Sequence, residues 1–171
     1  MADAGAHGAL GALALMSGFF TLWTNGLAAV LLGRVALTGR GAGWAPGFVA
    51  VQLTVVGVVY HALLAAQYDP QGLALVADIL LHTVAPAGAA VAWWRHGRGG
   101  AEWRDAALWL LWPLGFCAAA MARGAATGWY PYFFLDPGVV SWPGVAGAVA
   151  GLALLFLLLG LLVVALSRRN R

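Results

Sequence analysis

Asp78 and His82 stand one helical turn apart in a stretch that is otherwise apolar from Gly72 to Trp94. Side chains at i and i+4 share one helical face, and ionisable groups at membrane depth are costly enough to suggest function. A carboxylate beside an imidazole orients it and stabilises its cationic form, which suits acid/base chemistry near neutral pH. The pair predicts a proton-transfer site; the alternative is a hydrogen-bonded pair that only fixes helix packing.

A second polar group lies on the first apolar segment, where Thr21, Thr24 and Asn25 share a face by the i, i+3, i+4 rule. A threonine hydroxyl can act as a nucleophile beside a base, and a side-chain amide can donate to an oxyanion. Threonines in membrane helices also commonly bond their own i−4 carbonyl. Taken alone, this face leaves a nucleophile and a self-bonded threonine both open.

Two further features could contact a substrate. His61 is either a satisfied core histidine or a ligand or second base. The segment 129–137 is aromatic and bracketed by prolines, which suits either a stiff lid or an interfacial anchor, and Asp136 could simply turn the chain. We expect substrate contacts from Thr24, His61, Trp129, Tyr130, Tyr132 and Asp136.

Composition indicates which elements position these residues. Hydrophobic residues make up 63% of the 171 residues and charged residues 9%, against about 25% charged in soluble domains. A helix of about 20 apolar residues crosses a bilayer core. We predict an all-α transmembrane bundle, with residues 1–171 as one domain and helices at roughly 12–37, 46–66, 73–94, 106–122 and 144–166.

The arginines predict the orientation of this bundle. Arg123 is the one arginine in the connections on one side, and the other eight fall on the opposite side or in the tail: Arg34, Arg40, Arg95, Arg98, Arg104, Arg168, Arg169 and Arg171. By the positive-inside rule the N-terminus is outside and the C-terminus cytoplasmic, in the inner (plasma) membrane. We interpret the arginines as orientation anchors, which argues against a nucleic-acid partner. The single cysteine, Cys117, excludes an intrachain disulfide.

Depth brings the polar groups together. At about 1.5 Å per residue, Asp78 lies about 9 Å and His82 about 15 Å below the outer end of the third helix near Gly72. Thr21 and His61 fall at similar levels on the first and second helices. The sequence therefore predicts one polar cluster in the outer half of the bundle.

An ordered set of motifs resembles the bacterial Pr-six-Pr membrane proteins, which are similar to the animal androgen-induced-gene and ADTRP proteins. The motifs are Phe19-Phe20-Thr21-x-x-Thr24-Asn25, Asp78-Ile79-Leu80-Leu81-His82-x-x-x-Pro86, Arg123-Gly124, Gly128-Trp129-Tyr130-Pro131-Tyr132 and Phe134-Leu135-Asp136. Animal members of the wider family are intramembrane threonine hydrolases of lipid esters, in particular branched fatty-acid esters of hydroxy fatty acids. By position, the resemblance implies Thr21 as nucleophile and His82 as its partner.

These observations favour an enzyme without a cofactor that hydrolyses a membrane lipid ester entering from the outer leaflet. Thr21 would attack, His82 would act as base, Asp78 would orient His82, and Asn25 or backbone donors would stabilise the oxyanion. The alternatives are a protein that binds haem through His61 and His82, and a catalytically silent lipid-binding or scaffold protein.

Overall fold

The computed structural model describes Gly8, Gly11 and residues 15–39, 43–97 and 100–168. Within these ranges all regular structure is helical, and five helices are long and apolar enough to cross a membrane. The prediction of an all-α bundle with five spans is confirmed. The five helices are α1 (Phe20–Thr38), α2 (Ala45–Gln67), α3 (Leu73–Gly97), α4 (Trp103–Thr127) and α5 (Pro137–Arg168).

The first predicted helix, roughly residues 12–37, is not continuous in its described part, residues 15–37. The chain turns at Ser17–Gly18, Phe19 is extended (φ −104°, ψ 128°), and α1 begins at Phe20. Gly18 lies so close to the indole of Trp129 that a Cβ there would approach the ring to 2.6 Å. The break thus lets the loop after α4 pack against the start of α1. Residues 12–14 and Arg40, Arg98, Arg169 and Arg171 lie outside the described residues.

Helices α4 and α5 are longer than predicted because capping residues lie outside their apolar cores. α4 begins three residues before 106, where the side chains of Glu102 and Asp105 form a capping box. It ends at Gly128, whose φ of 73° is the left-handed conformation that closes many helices. α5 begins seven residues before 144, where Asp136 Oδ1 accepts a hydrogen bond from the N–H of Gly138 at 2.8 Å. A kink at Ser141 (φ 62°) follows in its first turns.

Helix α2 is the central element of the bundle. Its buried residues run from Ala45 to Leu64, whereas α1 buries only Thr24 and Ala28. Gly57 permits a close crossing with α3, since a Cβ there would lie 3.0 Å from the carbonyl oxygen of His82. Small residues allow such backbone approach where lipid provides no hydrophobic drive between helices. The crossing fixes the level of His82 against α2.

Two widened turns of π-helix occur near this crossing, at Tyr60–Leu64 in α2 and Leu80–Val84 in α3. Pro86 follows the second turn and has no N–H to donate to the carbonyl of His82, four residues earlier. π-turns are rare and are often found at functional sites. Here they carry Tyr60, His61 and His82.

The packing of Tyr130 on α4 gives a test of the fold with a matched control. A Cβ at Gly124 would overlap the ring of Tyr130, whereas one at Gly115 of the same helix meets nothing within 4 Å. We expect Gly124→Ala to lower the free energy of unfolding by about 1–3 kcal/mol through overpacking. Gly115→Ala should be neutral or raise it by up to about 1 kcal/mol.

Thermal unfolding in one detergent, followed by circular dichroism, measures both variants. Equal stability of the two variants would contradict the described position of Tyr130.

Candidate functional site

Three polar side chains from α1 and α3 form a continuous hydrogen-bonded chain. Thr21 Oγ1 lies 3.2 Å from His82 Nε2, and His82 Nδ1 lies 3.1 Å from Asp78 Oδ1. The side chains of His82 and Asp78 are 16% and 20% exposed, so the pair is largely enclosed. The structure therefore brings together the hydroxyl, imidazole and carboxylate that the sequence placed on two helices.

The contacts of His82 determine which ring nitrogen carries the hydrogen. Nδ1 faces two acceptors, the carboxylate and the backbone carbonyl of Asp78, both at 3.1 Å. A nitrogen between two acceptors is assigned as the N–H donor, and the neutral ring then has a lone pair on Nε2. Nε2 can therefore accept a hydrogen bond from the hydroxyl of Thr21. This is the arrangement in which an imidazole can take a proton from a hydroxyl nucleophile.

Tyr60 of α2 holds the pair from the other side, a contact that the sequence interpretation missed. Its hydroxyl donates to Asp78 Oδ2 at 2.8 Å, and its ring stacks on His82 with 3.8 Å between centroids and 12° between planes. One signal could have indicated it: a tyrosine within an apolar helix needs a partner for its hydroxyl. Both oxygens of Asp78 are thus hydrogen-bonded.

The break before α1 places Thr21 in the first turn of a helix. Tyr132 reaches this turn from the loop after α4, and its hydroxyl accepts a hydrogen bond from the N–H of Phe20 at 2.9 Å. The same hydroxyl interacts with Thr21. Burial raises the pKa of Tyr132 to about 12, so the phenol keeps its proton at all ordinary pH values. Tyr132 therefore presents a protonated, uncharged hydroxyl beside that of Thr21.

Two cavities meet at Thr21. The smaller, of about 60 Å³, lies between α1, α2, α4 and α5. The larger, of about 290 Å³, lies between the start of α1 and helices α2 and α3, and it alone of the two reaches Asp78 and His82. Both are mainly apolar, and the residues that line both are Thr21, Tyr60, Leu64 and Tyr132.

Two other predicted residues of α1 face away from these cavities. Thr24 is buried, and its hydroxyl accepts a hydrogen bond from Nε1 of Trp112 at 3.1 Å, so it joins α1 to α4. Asn25 Nδ2 donates to the carbonyl oxygen of Thr21 at 2.9 Å. The amide of Asn25 is thus bound to its own helix, and neither residue lines the two cavities.

His61 of α2 is exposed on the protein surface next to α3. Its Nε2 lies 3.0 Å from Oγ1 of Thr83 in α3. The ring of Tyr60 touches both histidines, at 5.2 Å from the ring of His61 and 3.8 Å from that of His82. His61 lines neither of the two cavities.

Most of the predicted lid supports the bundle, and only Tyr132 of its four expected contact residues reaches Thr21. Trp129 packs edge-on against Phe19 and under the guanidinium of Arg123, 4.6 Å from the ring centroid. Tyr130 covers Gly124, and Asp136 begins α5 as described above. Spacing along the loop could not separate these roles, since alternate loop residues point in different directions.

In the described part of the chain, no group of three or more His, Cys, Asp or Glu side chains is placed to hold a metal ion. Comparison with known proteins gives no match to any family model, curated protein or solved structure. The chemistry of the site is therefore inferred from its own geometry.

Replacing Tyr60 by phenylalanine tests the contact with Asp78. Phenylalanine retains the stack on His82 and removes one donor from a carboxylate in an enclosed site. Since hydrogen bonds to charged groups contribute about 1.5–3 kcal/mol, we expect a loss of unfolding free energy in that range. Tyr130→Phe is the control, because no described residue forms a hydrogen bond with the hydroxyl of Tyr130, and it should change stability by less than about 0.5 kcal/mol.

Thermal or denaturant unfolding in detergent compares the two variants directly. An equally small effect of both would show that the hydroxyl of Tyr60 does not bind Asp78.

Proposed function

We propose that this protein is an intramembrane hydrolase of a lipid ester, with Thr21 as nucleophile, His82 as base and Asp78 as the residue that orients the base. The observation that carries the proposal is the Thr21–His82 contact of 3.2 Å, with Asp78 on the far nitrogen of the ring, beside an apolar cavity. A hydrogen-bonded pair that only fixes packing would need neither the third member nor the cavity.

The proposed reaction has two steps. Thr21 Oγ1 attacks the ester carbonyl while its proton passes to His82 Nε2, and the resulting tetrahedral intermediate expels the alcohol, which takes the proton from His82. Water then attacks the threonyl ester and gives a proton to His82, and collapse releases the carboxylic acid and returns the proton to Thr21. Asp78 accepts from Nδ1 throughout and stabilises the imidazolium form of His82.

The oxyanion in both steps needs a donor beside Thr21, and Tyr132 fits this role better than Asn25. The hydroxyl of Tyr132 already accepts from the N–H of Phe20, and it keeps its own hydrogen to donate. Its position at the N-terminus of α1 adds the favourable end of the helix dipole. An enclosed apolar site strengthens such interactions by excluding water.

The setting of the site supports a lipid substrate. Thr21 and His82 lie within two of the five spans, and the larger cavity is lined by apolar side chains such as Met16, Leu22 and Leu81. The motif resemblance to the Pr-six-Pr proteins points to the same class of reaction. We further propose the inner membrane as the location, with the site in its outer half, from the distribution of arginines.

The geometry gives less support to the other two functions. The Nε2 atoms of His61 and His82 each lie within hydrogen-bond distance of a threonine hydroxyl, so haem ligation through them would require both hydrogen bonds to break. A silent scaffold would not require the alignment of Thr21 with His82 and Asp78. An absorbance scan separates the haem protein, which would show a Soret band lost in His61→Ala.

Labelling with a lipophilic fluorophosphonate tests the nucleophile. We expect the purified protein in detergent to be labelled and Thr21→Val, which removes the hydroxyl at nearly constant shape, to lose at least about 95% of the signal. Thr38→Val is the matched control, because Thr38 is an exposed threonine at the other end of the same helix, where it donates to the carbonyl of Arg34.

Labelling that persists in Thr21→Val, or that is lost equally in Thr38→Val, would contradict the proposal.

Tyr132→Phe tests the oxyanion donor. Loss of one preorganised donor typically lowers kcat by about 10²–10³-fold, and we expect a loss in this range with KM changed far less. Because burial raises the pKa of Tyr132 from 10 to about 12, its hydroxyl stays protonated at pH 10, where an ordinary tyrosine is half ionised, and the wild-type rate should show no decline from this group up to pH 10.

Initial rates against pH on an ester substrate measure both effects. A change in KM alone would assign Tyr132 to substrate binding.

A further inference from the structure

We infer that the substrate is an ester of a short acyl group with a long or bulky lipid alcohol, an inference that rests on the proposed function. Thr21 separates two cavities of unequal size, of about 60 Å³ and about 290 Å³. An ester carbonyl at Thr21 must place its acyl part on one side and its alcohol part on the other. The position of His82 decides which is which.

The leaving alcohol must lie on the side of the base. When the tetrahedral intermediate collapses, the C–O bond to the alcohol breaks, and the alcohol oxygen takes the proton held by His82 Nε2. His82 and Asp78 line the larger cavity, and neither lines the smaller one. The alcohol therefore occupies the larger cavity, and the acyl group lies in the smaller one.

The size of the smaller cavity limits the acyl chain. Its volume of about 60 Å³ is less than half of the roughly 150 Å³ of a cavity that admits the six carbons of benzene, so it holds about two to three carbons beyond the carbonyl, as in a butanoyl group. The larger cavity, at about 290 Å³, approaches the lower end of the usual range for ligand sites, about 300 Å³. Close packing makes expansion of the smaller cavity costly.

Side chains from four helices line the smaller cavity, the proposed acyl cavity, and three phenylalanines among them pack together. Phe20, Phe116 and Phe156 meet edge to face, with centroids 5.2 Å apart for Phe20–Phe116 and 6.0 Å for Phe20–Phe156. Leu152 lies one turn from Phe156 on α5 and lines the same cavity. Shortening Leu152 or Phe156 would therefore enlarge the cavity that we assign to the acyl chain.

The two cavities also determine how water reaches the acyl-threonine intermediate. After the alcohol leaves, the acyl group is attached to Thr21 and stays in the small cavity, while the vacated larger cavity gives water access to His82. The water that His82 activates thus approaches along the path the alcohol took. This order agrees with one base serving both steps, as microscopic reversibility requires.

Two isomeric esters test the inference: hexadecyl butanoate and butyl hexadecanoate contain the same atoms with the carbonyl at opposite ends. The full chain is placed in bilayer discs of ether-linked phosphatidylcholine, which contains no carboxylic ester, and released acid is measured against Thr21→Val. We expect kcat/KM to be more than about tenfold higher for hexadecyl butanoate, since one misfitting methylene alone costs about 10-fold or more.

Different results overturn the short-acyl inference and the proposed hydrolase function. Thr21-dependent hydrolysis that is equal for the two isomers, or faster for butyl hexadecanoate, overturns the short-acyl inference and leaves the hydrolase. Hydrolysis of neither isomer by a protein that fluorophosphonate still labels at Thr21 also overturns the inference alone. Absence of both hydrolysis and labelling overturns the proposed function with it.

Variants of the acyl cavity give a second, independent readout. Leu152→Ala should raise the ratio of kcat/KM for hexadecyl octanoate over hexadecyl butanoate by about tenfold. Phe156→Leu keeps a large apolar side chain, so it disturbs the fold less than Leu152→Ala. It should shift the ratio in the same direction. Leu81→Ala enlarges the cavity on the alcohol side and should leave the acyl ratio unchanged. A shift in Leu81→Ala without one in the other two would overturn the assignment.

Discussion

The hydrogen bonding of Asp78 is the constraint on which the rest of the site depends. A charged carboxylate in the middle of a membrane helix costs about 2.5–3.5 kcal/mol on insertion scales, and more when it is unpaired. Here Oδ1 faces His82 Nδ1 at 3.1 Å and Oδ2 accepts from Tyr60 at 2.8 Å. Satisfying this carboxylate therefore fixes the tautomer of His82 and the rotation of α3 against α2. The free Nε2 is then aimed at α1, where Thr21 meets it.

Much of this arrangement was predictable from the sequence, because a helix converts spacing into geometry. The step from Asp78 to His82 predicted one face, the depth calculation brought Thr21 to the same level, and the five apolar runs predicted the bundle. What spacing could not supply was the rotation of each helix, which tertiary packing decides. Thr24 and Asn25 share the face of Thr21 by periodicity, yet the indole of Trp112 and the carbonyl of Thr21 bind their side chains.

Tertiary packing also decides where the helices start and which loop residues reach the site, and the spacing of residues predicts neither. A run of apolar residues predicts a helix through residue 18. In the structure the indole of Trp129 packs against Gly18, the helix is interrupted there, and α1 starts two residues later. That break places Thr21 in a first turn, beside the hydroxyl of Tyr132. Tyr60 is a lone tyrosine in an apolar run, so its hydroxyl needs a partner, but the sequence does not indicate which residue that is. Its importance comes from a contact 18 residues away.

The most direct measurement of the central claim is tandem mass spectrometry of the protein after reaction with a lipophilic fluorophosphonate. If His82 activates Thr21, the phosphonyl group will be found on Thr21, and His82→Gln, with folding verified by circular dichroism, will reduce its occupancy by about 10²-fold or more. An adduct on another residue, or an adduct on Thr21 that forms equally fast in His82→Gln, would contradict the account.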